Sequence, residues 1–159
     1  MASNASEDCK VLYDLMRRFW GGFGRQMERV LNNGGVNVPQ YLAMVALSKS
    51  GEAMMGRLAA DLHVTMGAAT NIVDRLIRGG YVTRARGTDD RRVVRVKLQP
   101  KGVETLRGIE EEATAYMTSV LGQLDDARRK QFMETFARMV DTAEASTAAA
   151  VDASGSKKA

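Results

Sequence analysis

The sequence predicts a mainly α-helical protein with one small β-hairpin, and three observations support this fold class. Apolar residues recur at helical spacing along most of the 159 residues. The spacing changes to a two-residue alternation only between Tyr81 and Leu98, on either side of a polar tip. Clusters of Gly, Asn, Ser and Pro separate the helical stretches, as short connections do. The composition, 45% hydrophobic and 26% charged, is typical of a soluble globular protein.

The first predicted helix runs from about Asp8 to Leu31, where apolar residues follow an i, i+4, i+8 progression. It contains Gly21, Gly22 and Gly24, and each glycine costs about 1 kcal/mol relative to Ala in a helix interior. Packing within the subunit or between subunits must therefore support this stretch, and we expect a bend or a close backbone approach there.

Three shorter helices follow, predicted at about residues 40–49, 53–62 and 66–78. Residues 32–35, Asn-Asn-Gly-Gly, separate the first of them from the N-terminal helix. Pro39 is well placed to begin it, because its ring fixes a backbone angle suited to the start of a helix. Thr65 can cap the last of the three at its N-terminus, and Gly79–Gly80 can stop it.

The predicted hairpin has strands at residues 81–86 and 93–98 and a polar tip at 87–92. In the second strand Val94, Val96 and Leu98 share one face, which is the alternation of a half-buried strand. Pro100 then begins a helix that reaches about Leu121, and Asp125 can cap a final helix ending near Ala145. The last residues, 146–159, are rich in Ala, Ser and Lys and predict a disordered tail.

The formal net charge of +4 is unevenly distributed along the chain. Residues 57–101 contain ten basic and four acidic residues (10 − 4 = +6), which leaves 4 − 6 = −2 for the remainder. A basic middle segment between near-neutral ends predicts that one part of the chain meets a polyanion and that the other parts serve another purpose.

The order helix, short connection, helix and basic hairpin is typical of a winged helix-turn-helix, whose second helix enters the DNA major groove. In the fourth predicted helix, apolar residues form one stripe and small, polar and basic residues form the opposite face. The predicted DNA contacts on this helix are Thr65, Gly67, Ala68, Thr70, Asn71, Arg75 and Arg78. Those in the hairpin, or wing, are Arg84, Arg86, Arg91 and Arg92. The alternative interpretation is a solvated polar helix face beside an ordinary charged turn.

Several motifs resemble the MarR family of bacterial transcription regulators, at the family's spacing and over nearly the whole chain. They are the VDRL segment at 73–76, GGYVTR at 79–84, and Asp90-Arg91-Arg92 at the wing tip. The resemblance implies a homodimer formed by the first helix and the last two, with Arg92 as the wing arginine. Gln99 and Pro100 depart from the family's usual residues, which affects only the cap of the following helix.

The resulting organisation has four parts: a dimerisation helix at 1–35, a winged helix-turn-helix DNA-binding domain at 36–100, dimerisation helices at 101–145 and the tail at 146–159. Apolar residues in the first helix and the last two exceed what one small DNA-binding unit can cover. A two-fold dimer would separate its recognition helices by about 34–36 Å and predicts a palindromic operator on double-stranded DNA. The alternative is a helical bundle within one chain.

The predicted function is a sequence-specific transcriptional repressor released by a small aromatic or phenolic ligand, as the resemblance implies. Candidate ligand-binding residues between the first helix and the DNA-binding unit are Tyr13, Phe19, Trp20, Phe23, Tyr41, Met44 and His63. Their alternative role is ordinary core packing. Two other functions remain as alternatives: a peroxide-sensing repressor that uses Cys9, and a winged-helix module that binds protein.

Other classes of protein and site are disfavoured by the sequence. One Cys and one His cannot supply a Cys/His zinc cluster, so neither a metal nor another cofactor is expected. The motif Gly22-x-Gly24 lacks the third glycine and the preceding strand of a dinucleotide site, and no catalytic triad surrounds the single His. We therefore expect no enzyme activity. The polar N-terminus and the lack of a long apolar run predict a cytoplasmic protein without membrane contact.

Overall fold

The computed structural model describes residues 2–86 and 94–155 of the chain. Their helices and strands, in chain order, are α1 (Ala2–Asn33), α2 (Val38–Ser50), β1 (Glu52–Met54), α3 (Met55–Asp61), α4 (Met66–Arg78), β2 (Val82–Arg86), β3 (Val94–Leu98), α5 (Pro100–Leu121) and α6 (Asp126–Gly155). The chain divides after Thr114 into two compact units. The predicted fold class, mainly α-helical with a small antiparallel sheet, is confirmed.

Helix α1 is longer than predicted, since it begins at Ala2 and continues to Asn33. It ends where Gly35 adopts a left-handed backbone angle, φ +70°, which glycine reaches at little cost. The expected crowding at the internal glycines is absent within the described residues, because a Cβ atom built on Gly22 or Gly24 would meet nothing within 4 Å. Nothing in the described single chain therefore requires glycine at these two positions.

A capping box fixes the start of α2. The Asn37 side chain accepts a hydrogen bond from the Gln40 amide at 3.1 Å, and the Gln40 side chain accepts one from the Asn37 amide at 2.9 Å. Pro39 lies in the first turn, as predicted, where its missing N–H leaves no helical hydrogen bond unmade. These local interactions set the direction in which α2 enters the core.

The region predicted as a single third helix contains a strand and a shorter helix. Glu52–Met54 forms β1, which pairs antiparallel with β3 so that Ala53 lies opposite Val96. The sheet has the order β1-β3-β2, with β3 in the centre. The prediction of helix from residue 53 was wrong because Ala53 favours helix locally but is buried here by pairing with a distant strand.

The core of the first unit lies between α2, α3, α4 and the sheet. Met44, Leu47, Leu58, Leu76 and Val96 are among its fully buried side chains. The C-terminal end of α1 and the first turns of α5 also contribute to this core, through Val30, Leu31, Leu106 and Ile109. The recognition helix of the motif therefore rests on a packed support, which is what a helix needs in order to present its other face in a fixed direction.

Helix α5 has the predicted bounds. Asp125 caps α6 as predicted, because its carboxylate accepts a hydrogen bond from the Arg128 amide at 2.9 Å. Helix α6 continues to Gly155, well past the predicted end at Ala145 and into the segment predicted as disordered. Alanine has the highest helix propensity of any residue, and the Ala-rich composition that indicated disorder equally permits a helix. Within the described residues no helix is long and apolar enough to cross a membrane.

Candidate nucleic-acid interface

The recognition helix of the winged helix-turn-helix is α4, and a short connection of residues 62–65 joins it to α3. His63 adopts φ 53° there, a left-handed conformation in which histidine is enriched among non-glycine residues. The hydroxyl of Thr65 accepts a hydrogen bond from the Ala68 amide at 3.3 Å, which confirms the predicted N-cap. His63 is an exposed turn residue in the connection between α3 and α4.

The two faces of α4 separate as the sequence predicts. Ala69, Val73 and Leu76 are buried on its inner face. Gly67, Asn71, Arg75 and Arg78 are exposed, and Ala68, Thr70 and Asp74 are half-buried beside them. The far side of the helix from the core is therefore mostly polar, although the apolar Met66 is exposed at the first residue of the helix.

The outer face of α4 borders an open depression of about 540 Å³. Its lining consists of Asn71, Asp74, Arg75, Ile77 and Arg78. Among the described residues neither Arg75 nor Arg78 has an ion-pair partner. Two guanidinium groups are thus available to a polyanion, and Asn71 lies next to them with an amide suited to paired hydrogen bonds with a base edge.

Arg84 on β2, which the sequence predicts as a DNA contact, forms an ion pair with the recognition helix α4. Its Nη1 lies 2.8 Å from the Asp74 carboxylate, and its Nε is buried without a hydrogen-bond partner in the described part of the chain. The ion pair joins the wing to the recognition helix and partly neutralises a carboxylate on the surface that would face DNA. We therefore interpret Arg84 as a residue that positions the wing and compensates the charge of Asp74.

Replacing Arg84 with Met should lower operator affinity roughly tenfold, because the substitution leaves the Asp74 carboxylate unpaired near the phosphate backbone. The double variant Arg84→Met, Asp74→Asn should recover part of that affinity, since it also removes the negative charge. Fluorescence anisotropy with labelled duplex DNA measures both effects. A double variant as weak as Arg84→Met alone would indicate that Arg84 contacts DNA itself.

Other cations of the basic segment also have partners. Arg95 on β3 pairs with Glu52 on β1 at 2.7 Å, and Arg57 pairs with Asp61 on α3 at 2.8 Å. Arg86 is the last residue of β2. Its side chain and the whole of Arg91 and Arg92 lie outside the described residues, so their assignment to DNA remains a prediction from sequence.

The candidate ligand-binding residues differ in burial and in the element on which they lie. Met44 is fully buried in the core, whereas Tyr13 is 72% exposed on α1. Phe19, Trp20 and Phe23 contact one another along α1, with ring centroids 5.5–6.1 Å apart. Tyr41 is half-buried on α2, where burial, with a smaller contribution from the charge of Glu110, raises the pKa of its phenol. Cys9 is exposed on α1.

Sequence reasoning missed Tyr81, which the structure places at the meeting point of several elements. Its hydroxyl donates a hydrogen bond to the Gly34 carbonyl at 3.1 Å, and its ring lies against Gly79. The signal is present in the sequence as Gly-Gly-Tyr at 79–81. The first of these glycines makes room for the tyrosine ring in addition to ending a helix.

The helix pair α3–α4, followed by a hairpin and joined to a third strand, defines a winged helix-turn-helix protein. Residues 36–94 match the model of the MarR family. This segment of the chain is therefore a MarR-family domain. The matched segment extends from just before α2 to the first residue of β3, so it contains α4 and its connection to the wing.

Curated relatives support this assignment over different shares of the chain. The regulator YsmB of Bacillus subtilis, described as an uncharacterized HTH-type transcriptional regulator, is 25% identical over 61% of this chain and 66% of its own length. YpoP of the same organism, described in the same words, is 23% identical over 82% of this chain and 94% of its own length. Thus one match spans somewhat less than two thirds of the relative, and the other spans nearly all of it.

Solved structures show the same fold. A MarR family protein from Bacillus stearothermophilus is 23% identical, with a TM-score of 0.80 over 87% of this chain and 97% of that one. A mutant of S. aureus MepR bound to an oligodeoxyribonucleotide is 15% identical, with a TM-score of 0.67 over 82% of this chain and 96% of that one. NadR in complex with 4-hydroxyphenylacetate is 21% identical, with a TM-score of 0.59 over 78% and 88%.

Proposed function

We propose that this protein is a transcriptional regulator that binds double-stranded DNA sequence-specifically through α4 and the wing. The observation that carries this proposal is the division of α4 between a buried apolar face and an exposed polar face with Arg75 and Arg78 free of ion pairs among the described residues. The former secures the helix, and the latter has the chemistry that major-groove recognition requires. The DNA-bound MepR structure supports the proposal by likeness of fold.

We further propose that the active form is a homodimer. In the single chain, large apolar side chains are exposed on α1 (Val11, Leu12, Leu15, Met16, Phe19, Trp20) and on α6 (Phe132, Met133, Phe136, Val140). Apolar surface of this kind, on a chain whose described helices include no membrane span, is usually covered by a partner. A two-fold pair of α4 helices would bind a palindromic operator with half-sites one helical turn apart.

The regulatory sense we propose is repression in the cytoplasm, relieved by a small aromatic or phenolic ligand. Support comes from two relatives: IacR of Pseudomonas putida is described as a transcriptional repressor, and NadR was solved with 4-hydroxyphenylacetate. Titration of 4-hydroxyphenylacetate into the protein–DNA complex tests this class of effector.

The decisive experiment for base recognition replaces Asn71 with Ala. Wild-type protein should select a palindromic site from a pool of random duplexes, and the variant should lose preference at one symmetric pair of positions. The expected cost at that position is about 1–3 kcal/mol, the value of a paired hydrogen bond from an amide to a base edge. Asn33→Ala, at the exposed end of α1, serves as the matched control. Identical selected sites for wild type and Asn71→Ala would contradict the assignment.

A further inference from the structure

Tyr81 joins four segments of the first unit. Its hydroxyl donates to the carbonyl of Gly34, which follows the last residue of α1. Its backbone amide donates to the Leu76 carbonyl in the last turns of α4, and its own carbonyl accepts from the Gln99 amide just before α5. With an exposed fraction of only 8%, the side chain is enclosed where α1, α4, β2 and α5 meet.

Glycines make room for Tyr81 on three sides. A Cβ atom on Gly79 would lie 2.4 Å from the tyrosine ring, and one on Gly35 would lie 2.8 Å from its hydroxyl oxygen. A Cβ atom on Gly102 would lie 2.2 Å from the Tyr81 carbonyl oxygen. No ordinary side chain fits at these distances without a shift of its neighbours. The position of Tyr81 is therefore determined by close contact as well as by hydrogen bonds.

A lysine completes the arrangement. The Lys101 ammonium lies 4.6 Å from the centre of the Tyr81 ring and donates a hydrogen bond to the Gly79 carbonyl at 2.7 Å. The cation thus binds the C-terminal end of α4, where the helix dipole is negative, while it covers the ring. Through Lys101 the start of α5 is tied to both the ring and the recognition helix.

We propose that Tyr81 is a positioning residue for DNA recognition: through its hydroxyl bond to Gly34 it sets the orientation of α4 and the wing relative to the end of α1. Tyr81 is bonded to α4 through the Leu76 carbonyl, and it acts through the last turns of that helix and the start of β2. Because the ring is closely enclosed, a displacement at the end of α1 is passed on to α4 instead of being absorbed by empty space. This inference rests on the proposed function of sequence-specific DNA binding.

The test compares four variants with wild type, and each is measured on the selected operator and on an unrelated duplex of equal length at one salt concentration. Tyr81→Phe removes the hydroxyl and keeps the ring. Gly35→Ala pushes the hydroxyl from its place. Gly51→Ala is the control for placing a methyl group on a glycine with positive φ, because Gly51 has φ +73° against +70° for Gly35 but nothing within 4 Å of its Cβ site. The fourth variant combines Gly35→Ala with Tyr81→Phe.

We expect Tyr81→Phe and Gly35→Ala each to lower operator affinity by about three- to tenfold, the range of a single lost hydrogen bond, with affinity for the unrelated duplex unchanged. Gly51→Ala should keep the ratio of the two affinities, although it also places alanine at a positive φ angle. The double variant Gly35→Ala, Tyr81→Phe should have the same ratio of affinities as Tyr81→Phe alone. Phenylalanine lacks the hydroxyl oxygen that the new methyl group at position 35 would meet.

The ratio of affinities separates positioning from simple destabilisation, because a smaller folded fraction lowers binding to both duplexes equally. An unchanged ratio in Tyr81→Phe and Gly35→Ala would overturn the inference while leaving sequence-specific binding intact. A loss in Gly51→Ala equal to that in Gly35→Ala would also overturn it, since backbone strain would then explain both. A wild-type protein that does not distinguish the two duplexes would instead overturn the proposed function and the inference with it.

Discussion

Substitutions that remove the side chains of both Arg75 and Arg78 should lower operator affinity on the order of 100-fold. This is the largest loss in binding that we expect from the described side chains. Both guanidinium groups are exposed on the outer face of α4, and neither has an ion-pair partner in residues 2–86 and 94–155. A contact with phosphate releases counterions, so the slope of log affinity against log salt should decrease by about 1 for each arginine that meets the backbone. A contact with guanine would instead relax base preference.

Arg107→Ala is the matched control for this pair of substitutions. Arg107 is also an exposed helical arginine, but it lies on α5 and pairs with Glu104 and Glu111. Its loss should change operator affinity little, because surface ion pairs of this kind contribute at most about 1 kcal/mol to stability. Titrations of labelled operator at several salt concentrations give the affinity and the slope together. Equal behaviour of Arg107→Ala and the Arg75, Arg78 double variant would contradict the assigned interface.

Gly102→Ala should destabilise the fold severely, with a loss of about 3 kcal/mol or more in the free energy of unfolding. The added Cβ atom would lie 2.2 Å from the Tyr81 carbonyl oxygen and 3.1 Å from Leu98 Cδ2. The nearer of these atoms belongs to backbone that also accepts the Gln99 amide, so it cannot move without breaking that hydrogen bond. Urea denaturation at fixed protein concentration measures the effect.

Gly108→Ala, on the same helix, should not lower the free energy of unfolding. A Cβ atom at Gly108 would have nothing within 4 Å, and alanine is favoured over glycine in a helix interior by about 1 kcal/mol. This variant should therefore be as stable as wild type or more stable. If Gly102→Ala and Gly108→Ala lowered the free energy of unfolding equally, the cause would be a general effect of alanine on helix α5. The close approach of Gly102 to Tyr81 would then not explain the loss.

Local signals were sufficient to predict α4 in detail. The Thr65 cap and the Gly79–Gly80 stop are interactions between near neighbours in the chain, and the apolar stripe follows from helical spacing alone. The same holds for the start of α5 at Pro100. Where the end of a helix is set by residues within one turn of it, the local sequence is sufficient to predict that end.

Features that depend on distant residues were missed or assigned differently. Strand β1 exists because Ala53 pairs with Val96, a residue that no local pattern around Ala53 indicates. Arg84 was recognised as a wing cation, but its partner Asp74 lies on another element and is brought within 2.8 Å only by folding. Residue type alone led us to group the aromatic residues of α1 with Met44 as one candidate ligand site. In the structure Met44 is fully buried, whereas Phe19 and Trp20 are exposed.

By itself the sequence determined the fold class, the family, the bounds and outer face of the recognition helix, and the basic character of the wing, because each follows from spacing or from neighbours along the chain. Only the tertiary structure decided which cations remain available to DNA and which are paired, and that Tyr81 connects α1 to α4 and α5. The physical reason is that ion pairing and close packing act through space over a few ångströms, and the distances between residues far apart in sequence are set only when the core forms.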